Sequence, residues 1–480
     1  MWNENFAYSF FIHITKESKM RNIISNPKYP FQQRVNEFTR PRSNVGIFTF
    51  YGSGKSYMGL EWLDSHQNFP TILFGPKNLT PQWRDEIHKH SNFDCIAIPT
   101  IVNDNKAKRL KQIAKSAQIY LCGYDALRSP PVRQALLDKR FRSMLIDEST
   151  AVKNSRSQRW KGIYDLRRHL SHCCLLSGKP MLESPIDLYS QMYMLDGGKT
   201  FGRAFWRFRM QYFTPGPPWK PYDWELKWGA ETEIGRRAAS HCIYIPREEI
   251  ENQLPKQEFQ RVYLTMPPDA MYAYEEMRKE FELQLDTGEF VDTMWAVAKA
   301  AKMHQIAQGF LYYKDEVRFF HAMKEDWLAT NLPIITTNTP VLIWTSYKYI
   351  AERLYRMCRD QLLIPTSLFY GGQKANENET AKQDFQNGKT QILILTSQAG
   401  FRGHNLQRAG TAIFHDNGHK AEHRANALER NSRIDSKDKY GFEYLQVIDL
   451  CMRNTCDDIV LDSYEEKIKL ADGIMKHIKG

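Results

Sequence analysis

No apolar run in this chain approaches the ~18 to 20 residues that a membrane-spanning helix needs. The first twenty residues carry Glu4, Lys16, Glu17 and Lys19 and lack a small-residue cleavage site, so a secretory leader is not expected either. The eight cysteines, at 95, 122, 173, 174, 242, 358, 451 and 456, include no C-x-x-C pair. That removes the common zinc spacing, and the apolar runs around several of them suit reduced thiols packed as small hydrophobes. Internal repeats and low-complexity tracts are also missing. The expectation is a cytoplasmic protein with no zinc and no membrane partner.

What is present points to a large folded chain. Its 480 residues exceed one core, and ~150 residues per domain suggests two or three domains. Apolar residues at 42% and charged residues at 25% are ordinary for a globular protein. The net charge of +11, from 66 basic and 55 acidic side chains, favours a polyanionic partner through phosphate contacts and counterion release. The aromatic content of 13% is high, and most of it is expected in the core.

The chemistry is concentrated in two strings. Gly52-Ser53-Gly54-Lys55-Ser56 follows the apolar run Val45 to Phe50, and about ninety residues later Asp147-Glu148 ends another apolar run, Met144-Leu-Ile146. Glycines let backbone N–H groups curl around phosphate oxygens, Lys55 adds a fixed positive charge, and the Ser56 hydroxyl suits a magnesium ion. Asp147 would hold that metal through water, and Glu148 would polarise an attacking water. Thr49 stands where the first glycine of the phosphate-loop pattern belongs. A plain turn between strand and helix is the bland alternative for the short string. The order of strand, glycine loop, helix (Ser56 to His66) and carboxylate-ended strand favours the nucleotide site.

Short β-rich runs alternate with helical patterns from Val45 to Gly178 (Thr71 to Gly75, Cys95 to Ile98, Ile119 to Cys122, Cys173 to Leu176). The alternation resumes at Pro340 to Trp344 and continues through Ser367 to Tyr370, Thr390 to Thr396, Thr411 to Phe414 and Phe442 to Leu450, without a second phosphate loop. This predicts an α/β fold of two tandem parallel-sheet lobes sharing one nucleotide at their cleft. The expected divisions are an accessory segment 1–28, a first lobe 29–195, a helical and loop connector 196–339 and a second lobe 340–480. Residues Asn105 to Lys115, with five basic side chains, read as a solvated helix face.

From Tyr29 to Asp449 the chain resembles the superfamily 2 helicases and translocases, in particular the Swi/Snf-like branch and its small phage-type members. The resemblance implies that both lobes are RecA-like. Pro30-Phe31-Gln32 resembles the string that reads adenine in that family and so implies ATP, with Gln33 as a rival for the role. Asp147-Glu148-Ser149-Thr150 followed by Lys153-Asn154 resembles motif II, with the usual histidine replaced. Ser177-Gly178-Lys179-Pro180 resembles motif III, which couples the lobes, and is continued by Leu188 to Gln191 and Phe213-Thr-Pro215. Lys179 departs from the pattern and has two readings, a DNA-phosphate contact or a helix cap. Ser397 to Gln407 resembles motif V, which implies nucleotide contacts from Gly403 and Asn405 and a nucleic-acid contact from Arg402. Asn426 to Ile434 resembles motif VI, whose two arginines, Arg430 and Arg433, share one helix face. Arg433 is then the expected arginine finger and Arg430 the neighbouring phosphate contact; an exposed basic stripe is the alternative.

The resemblance further implies DNA-backbone contacts from Lys77, Tyr124 and Arg128 in the first lobe and from Thr345, Ser346, Gly371 and Ser397 in the second. Trp83 matches a family string but is expected in the core, as is Trp344. The expected activity is a Mg2+- and ATP-dependent DNA translocase or helicase acting on duplex, forked or branched DNA, in a phage or bacterial host cytoplasm. An RNA helicase and a nucleic-acid scaffold with an inactive ATPase remain the alternatives. Protein partners are not named by any of these residues.

Overall fold

The computed structural model describes residues 22–27, 29–50, 52–76, 80–99, 106–216, 224–249, 254–286, 293–314, 316–400, 406–418, 421–432 and 439–478. In chain order the strands are β1 (Asn44–Thr49), β2 (Thr71–Gly75), β3 (Cys95–Ile98), β4 (Ile119–Gly123), β5 (Ser143–Asp147), β6 (His172–Ser177), a short hairpin β7 (Phe213–Pro215) and β8 (Trp224–Leu226), then β9 (Cys242–Ile245) and β10 (Lys256–Leu264). A second hairpin, β11 (Phe310–Tyr313) and β12 (Glu316–Phe319), precedes β13 (Val341–Thr345), β14 (Thr366–Phe369), β15 (Ile392–Thr396), β16 (Thr411–Phe414) and β17 (Tyr444–Met452).

These strands build a seven-stranded sheet in the order β3-β4-β2-β5-β6-β1-β9 and a six-stranded sheet in the order β10-β17-β16-β13-β15-β14. Neighbouring strands within both are parallel, as the apolar runs and intervening helices require. Alternate side chains feed opposite faces: Ile72 and Phe74 pack into one core of the first lobe, and Leu73 into the other. The second lobe repeats this, with Val341 and Ile343 on one face of β13 and Leu342 and Trp344 on the other. Trp344 is therefore core, as expected.

The connector departs from its expected helix-and-loop character. Within 196–339, β9 joins the edge of the first sheet beside β1, and β10 joins the edge of the second beside β17. Gly46 permits the first junction, because a Cβ there would lie 2.7 Å from the sulfur of Cys242. The chain also returns late to its first lobe. Along the helix Cys456–Met475 and the turn Lys476–Ile478, Tyr464, Ala471, Ile474 and Ile478 join the same buried cluster as Phe48 and Leu175. Gly235 allows that approach: a Cβ there would sit 2.6 Å from the carbonyl oxygen of Ile474. No helix among the described residues is long and apolar enough to cross a membrane, and no metal-type cluster of His, Cys, Asp or Glu occurs among them.

Candidate active site

β1 delivers its chain into the glycine loop, and the helix Lys55–His66 leaves it. Gly52 and Gly54 have φ of 79° and 83°, the left-handed region that glycine adopts without steric cost. The unusual Thr49 spans the loop: its Oγ1 lies 2.6 Å from Oγ of Ser53, both side chains fully buried. Gln32 fastens the same turn, donating from Nε2 to the Ser53 carbonyl at 2.8 Å, while its Oε1 accepts from the Tyr29 N–H at 3.3 Å. Gln33 instead bonds Glu37 on the exposed helix surface. The ammonium of Lys55 donates to the carbonyls of Thr49 (3.1 Å) and Phe50 (3.2 Å) at the mouth of the loop, and Ser56 follows in the first helical turn.

Asp147 ends β5 and is buried. Burial pushes its carboxyl above the usual range, opposed by the hydrogen bond from Trp83, by the charge of Lys55, by the Glu148 N–H and by the charge of Arg430. The Trp83 indole N–H donates to Oδ2 at 2.8 Å, and the Glu148 N–H to Oδ1 at 3.0 Å. Trp83 is thus core, as expected, and also a direct partner of the carboxylate, which the sequence reading missed although the family string pointed at it. Glu148 has φ of 54°, a conformation that a non-glycine residue adopts only when its surroundings enforce it. Tyr124 helps enforce it, donating its hydroxyl to the Asp147 carbonyl. That revises the expectation for Tyr124: it is 5% exposed and stacks on Phe74, and its hydroxyl is committed to the Asp147 carbonyl.

The helix Ala421–Asn431 brings the second lobe to this site. Arg430 is buried there and its charge acts on Asp147. Around it the lobes are joined by polar contacts. Thr150, near the missing histidine of motif II, donates to Oε1 of Glu422 at 3.1 Å. Lys153 lies between Asp187 (3.3 Å) and Glu422 (3.4 Å). Lys179 pairs with Glu429 at 3.6 Å and so links motif III to the opposite lobe, a partner that the sequence reading did not foresee. Glu183 accepts from the Glu422 N–H and pairs with Lys467, each at 3.0 Å. Within the first lobe Gln191 ties motif II to motif III, accepting from the Ser149 hydroxyl (2.6 Å) and donating to the Pro180 carbonyl (2.5 Å). Ser177 and Gly178 are buried at the end of β6. A cleft of about 890 Å³ opens beside the carboxylates, lined from both lobes by Glu148, Lys153, Arg128, His423, Asn426 and Arg430. No glycine-loop residue is part of its lining.

The expected nucleic-acid residues divide. Arg128 is exposed at the cleft, 3.4 Å from Asp125. Gly371 is exposed and bridges Gln373. Ser397 donates to the Thr345 carbonyl at 3.2 Å. Thr345 is a correction: fully buried, it donates to Oδ2 of Asp416 at 2.5 Å, and both Asp416 oxygens accept from the Ser346 N–H (3.0 and 2.9 Å). Thr345 therefore shapes the strand-end turn from inside. Burial opposes ionisation of Asp416, yet His415, His304 and Ser346 hold its carboxyl well below the usual range. A carboxylate at the end of an apolar run, as in Asp147, was the sequence signal that could have found it. Lys77, Arg402, Gly403, Asn405 and Arg433 lie outside the described residues.

Comparison with known proteins agrees with this architecture. Residues 9–318 match the SNF2-related domain and residues 323–435 the helicase conserved C-terminal domain. Protein p41 of Acyrthosiphon pisum secondary endosymbiont phage 1 is 23% identical, over 94% of this chain and 98% of its own length. The Caenorhabditis elegans homologue of SWI/SNF-related matrix-associated actin-dependent regulator of chromatin subfamily A-like protein 1 is 21% identical, over 92% of this chain and 61% of its own. Mouse DNA annealing helicase and endonuclease ZRANB3 is 22% identical, over 77% of this chain and 34% of its own. The chain thus spans nearly all of the phage protein but only part of these larger relatives. The solved Sulfolobus solfataricus SWI2/SNF2 ATPase core in complex with dsDNA aligns over 95% of this chain and 94% of its own at 16% identity, with a TM-score of 0.43. With two parallel-sheet lobes and motif residues from both at one site, the chain belongs to the SNF2-related family of helicases and translocases.

Proposed function

We propose that this protein is an ATP-dependent DNA translocase that remodels forked or branched DNA, with branch migration within its reach. The observation that carries the reading is that Glu148 of the first lobe and Arg430 of the second line one cleft, next to the buried Asp147 on which the charges of Lys55 and Arg430 act. The motor lobes would be built around 29–195 and 340–480, with 196–339 joining them and lending β9 to the first sheet and β10 to the second, and with 1–28 as an accessory segment.

The donor set fits Mg2+ with a triphosphate: a serine hydroxyl (Ser56) and a buried carboxylate (Asp147) are hard oxygen ligands, and the metal would neutralise phosphate charge there. Gly52, Ser53, Gly54 and Lys55 would hold the phosphates, and Gln32 serves nucleotide binding by fixing the Ser53 carbonyl. Glu148 would take the proton of the attacking water. Arg433 would supply the charge that completes the site, with Arg430 beside it, and Gly403 and Asn405 would line the nucleotide from the second lobe. Ser177 and Gly178 would pass closure to the track, where Lys77, Arg128, Ser346, Gly371, Ser397 and Arg402 would meet phosphates. Because closure favours the ATP-bound state, the lobes would alternate their grip along one strand.

The relative ZRANB3 is described as a DNA annealing helicase, and the p41 match makes a phage or bacterial cytoplasm the proposed setting. An ATPase assay with duplex, single-stranded and forked DNA and with RNA tests the reading on the native chain and on Glu148→Gln. Fork-stimulated hydrolysis that disappears in Glu148→Gln is the expected result. Stimulation by RNA alone would favour an RNA helicase, and no turnover with any nucleic acid would favour a scaffold.

A further inference from the structure

Apart from Phe213-Thr-Pro215, the segment from Lys199 to Trp228 lies outside the motifs that carry the motor chemistry, yet it holds four of the chain's 11 tryptophans and six basic side chains against two acidic ones. Its helix, Phe205–Tyr212, is two-sided. Phe208 and Tyr212 are buried against Phe201, while Trp206 and Met210, one turn apart on the opposite side, are 60% and 51% exposed. Trp228, just beyond β8, is 99% exposed. The preceding residue ties it to this helix, because the Lys227 ammonium donates to the Met210 carbonyl at 2.6 Å. Arg209 fastens hairpin to helix, its guanidinium 4.0 Å from the Trp224 ring centroid. Arg207 lies 5.5 Å from the ring centroid of Trp206, and both are exposed. Of the nearby acids, Glu233 is occupied by Tyr212 and Arg237, and Glu225 is exposed on β8.

Exposed indoles interleaved with arginine and lysine suit a ligand that offers both a flat apolar face and phosphate. In a duplex the faces of the bases are hidden within the stack, so phosphate alone would meet this surface; an unpaired strand presents both. We infer that Trp206, Met210 and Trp228, with Arg203, Arg207 and Lys227, form an accessory stacking platform for unpaired bases of single-stranded nucleic acid. The platform is distinct from the backbone track between the lobes, and its role as a hold on one arm of a fork rests on the function proposed above. It also has a route to the motor. Phe208 packs 5.0 Å from the Tyr189 ring on the helix Asp187–Asp196, which carries Gln191, the partner of Ser149 beside Glu148.

The test uses the full chain with a short fluorescein-labelled oligothymidylate, an abasic oligonucleotide of equal length, and blunt duplex. In the double variant Trp206→Ala with Trp228→Ala, oligothymidylate affinity by anisotropy should fall roughly tenfold or more. Abasic binding and duplex-stimulated ATP hydrolysis should stay unchanged. The pair Trp206→Phe with Trp228→Phe, which keeps aromatic faces, should retain most of the affinity. Unchanged oligothymidylate affinity would overturn the inference, as would equal losses for the thymidylate and abasic strands or a loss of duplex-stimulated turnover. So would sedimentation showing that the alanine pair abolishes self-association while strand binding persists, which would assign the surface to a second copy of the chain. Binding needs no turnover, so an inactive ATPase would sink the translocase proposal and leave this readout intact.

Discussion

The indole N–H of Trp83 donates to Oδ2 of Asp147 at 2.8 Å, so a buried tryptophan orients the carboxylate proposed to serve the metal. Trp83→Phe keeps the ring and removes the donor. Burial already raises the Asp147 carboxyl, and loss of this bond raises it further, so the acid limb of the ATPase pH profile should move to higher pH. The folded state should lose about 1–3 kcal/mol of stability, the range for a buried acceptor losing its donor. An acid limb that does not move would show that Asp147 titrates independently of the indole.

Thr49→Gly restores the common glycine and removes the contact with Ser53. A loop held by one hydroxyl fewer should bind nucleotide more weakly, with KM for ATP rising several-fold and kcat changing less. Thr49→Ser, which keeps the hydroxyl, should stay close to the native values. Steady-state kinetics on the two variants decide this, and equal KM values for both would deny the bond any role.

Lys179 and Glu429 meet across the lobes at 3.6 Å. If this contact forms during turnover, Lys179→Met and Glu429→Gln should be non-additive in DNA-stimulated kcat/KM, with a coupling of about 0.5–3 kcal/mol. Strictly additive effects would mean that the pair is broken in the rate-limiting state.

Burial pushes the Asp187 carboxyl up to about 6, against the pull of Lys153. A folded-state value above the unfolded one means that the native protein binds the proton more tightly. The associated stability is complete below the unfolded value and is lost as pH rises through about 6. Asp187→Asn should remove that fall. Urea unfolding at acidic and neutral pH should show the native chain losing about 2–3 kcal/mol relative to the variant. Parallel pH dependences would rule the effect out.

Strands buried on both faces were legible because each is a short, nearly continuous apolar run, and so were the strand-end motifs Lys55 and Asp147-Glu148. β10 was not: Lys256 to Leu264 is an edge strand with several exposed side chains, and its mixed polarity resembles a loop. Thr345 read as a phosphate contact because nothing local announces that Asp416, 71 residues away, accepts its hydroxyl. Lys179 was ambiguous for the same reason, since its partner stands on the opposite lobe. Tyr124 sat at the right strand end, but its near-complete burial and the bond from its hydroxyl to the Asp147 carbonyl depend on packing that the sequence does not display. Sequence order identified the positions where chemistry gathers, and tertiary packing decided which side chains remain available for it.

The return of the helix Cys456–Met475 to the lobe containing β1 turns two bodies joined by one strap into a closed circuit, anchored at β9 and β10 on one path and at Ile474 and Ile478 on the other. Such a circuit permits rocking and resists wide separation. A tether of this kind limits how far the halves can part and keeps their relative placement through any movement between them.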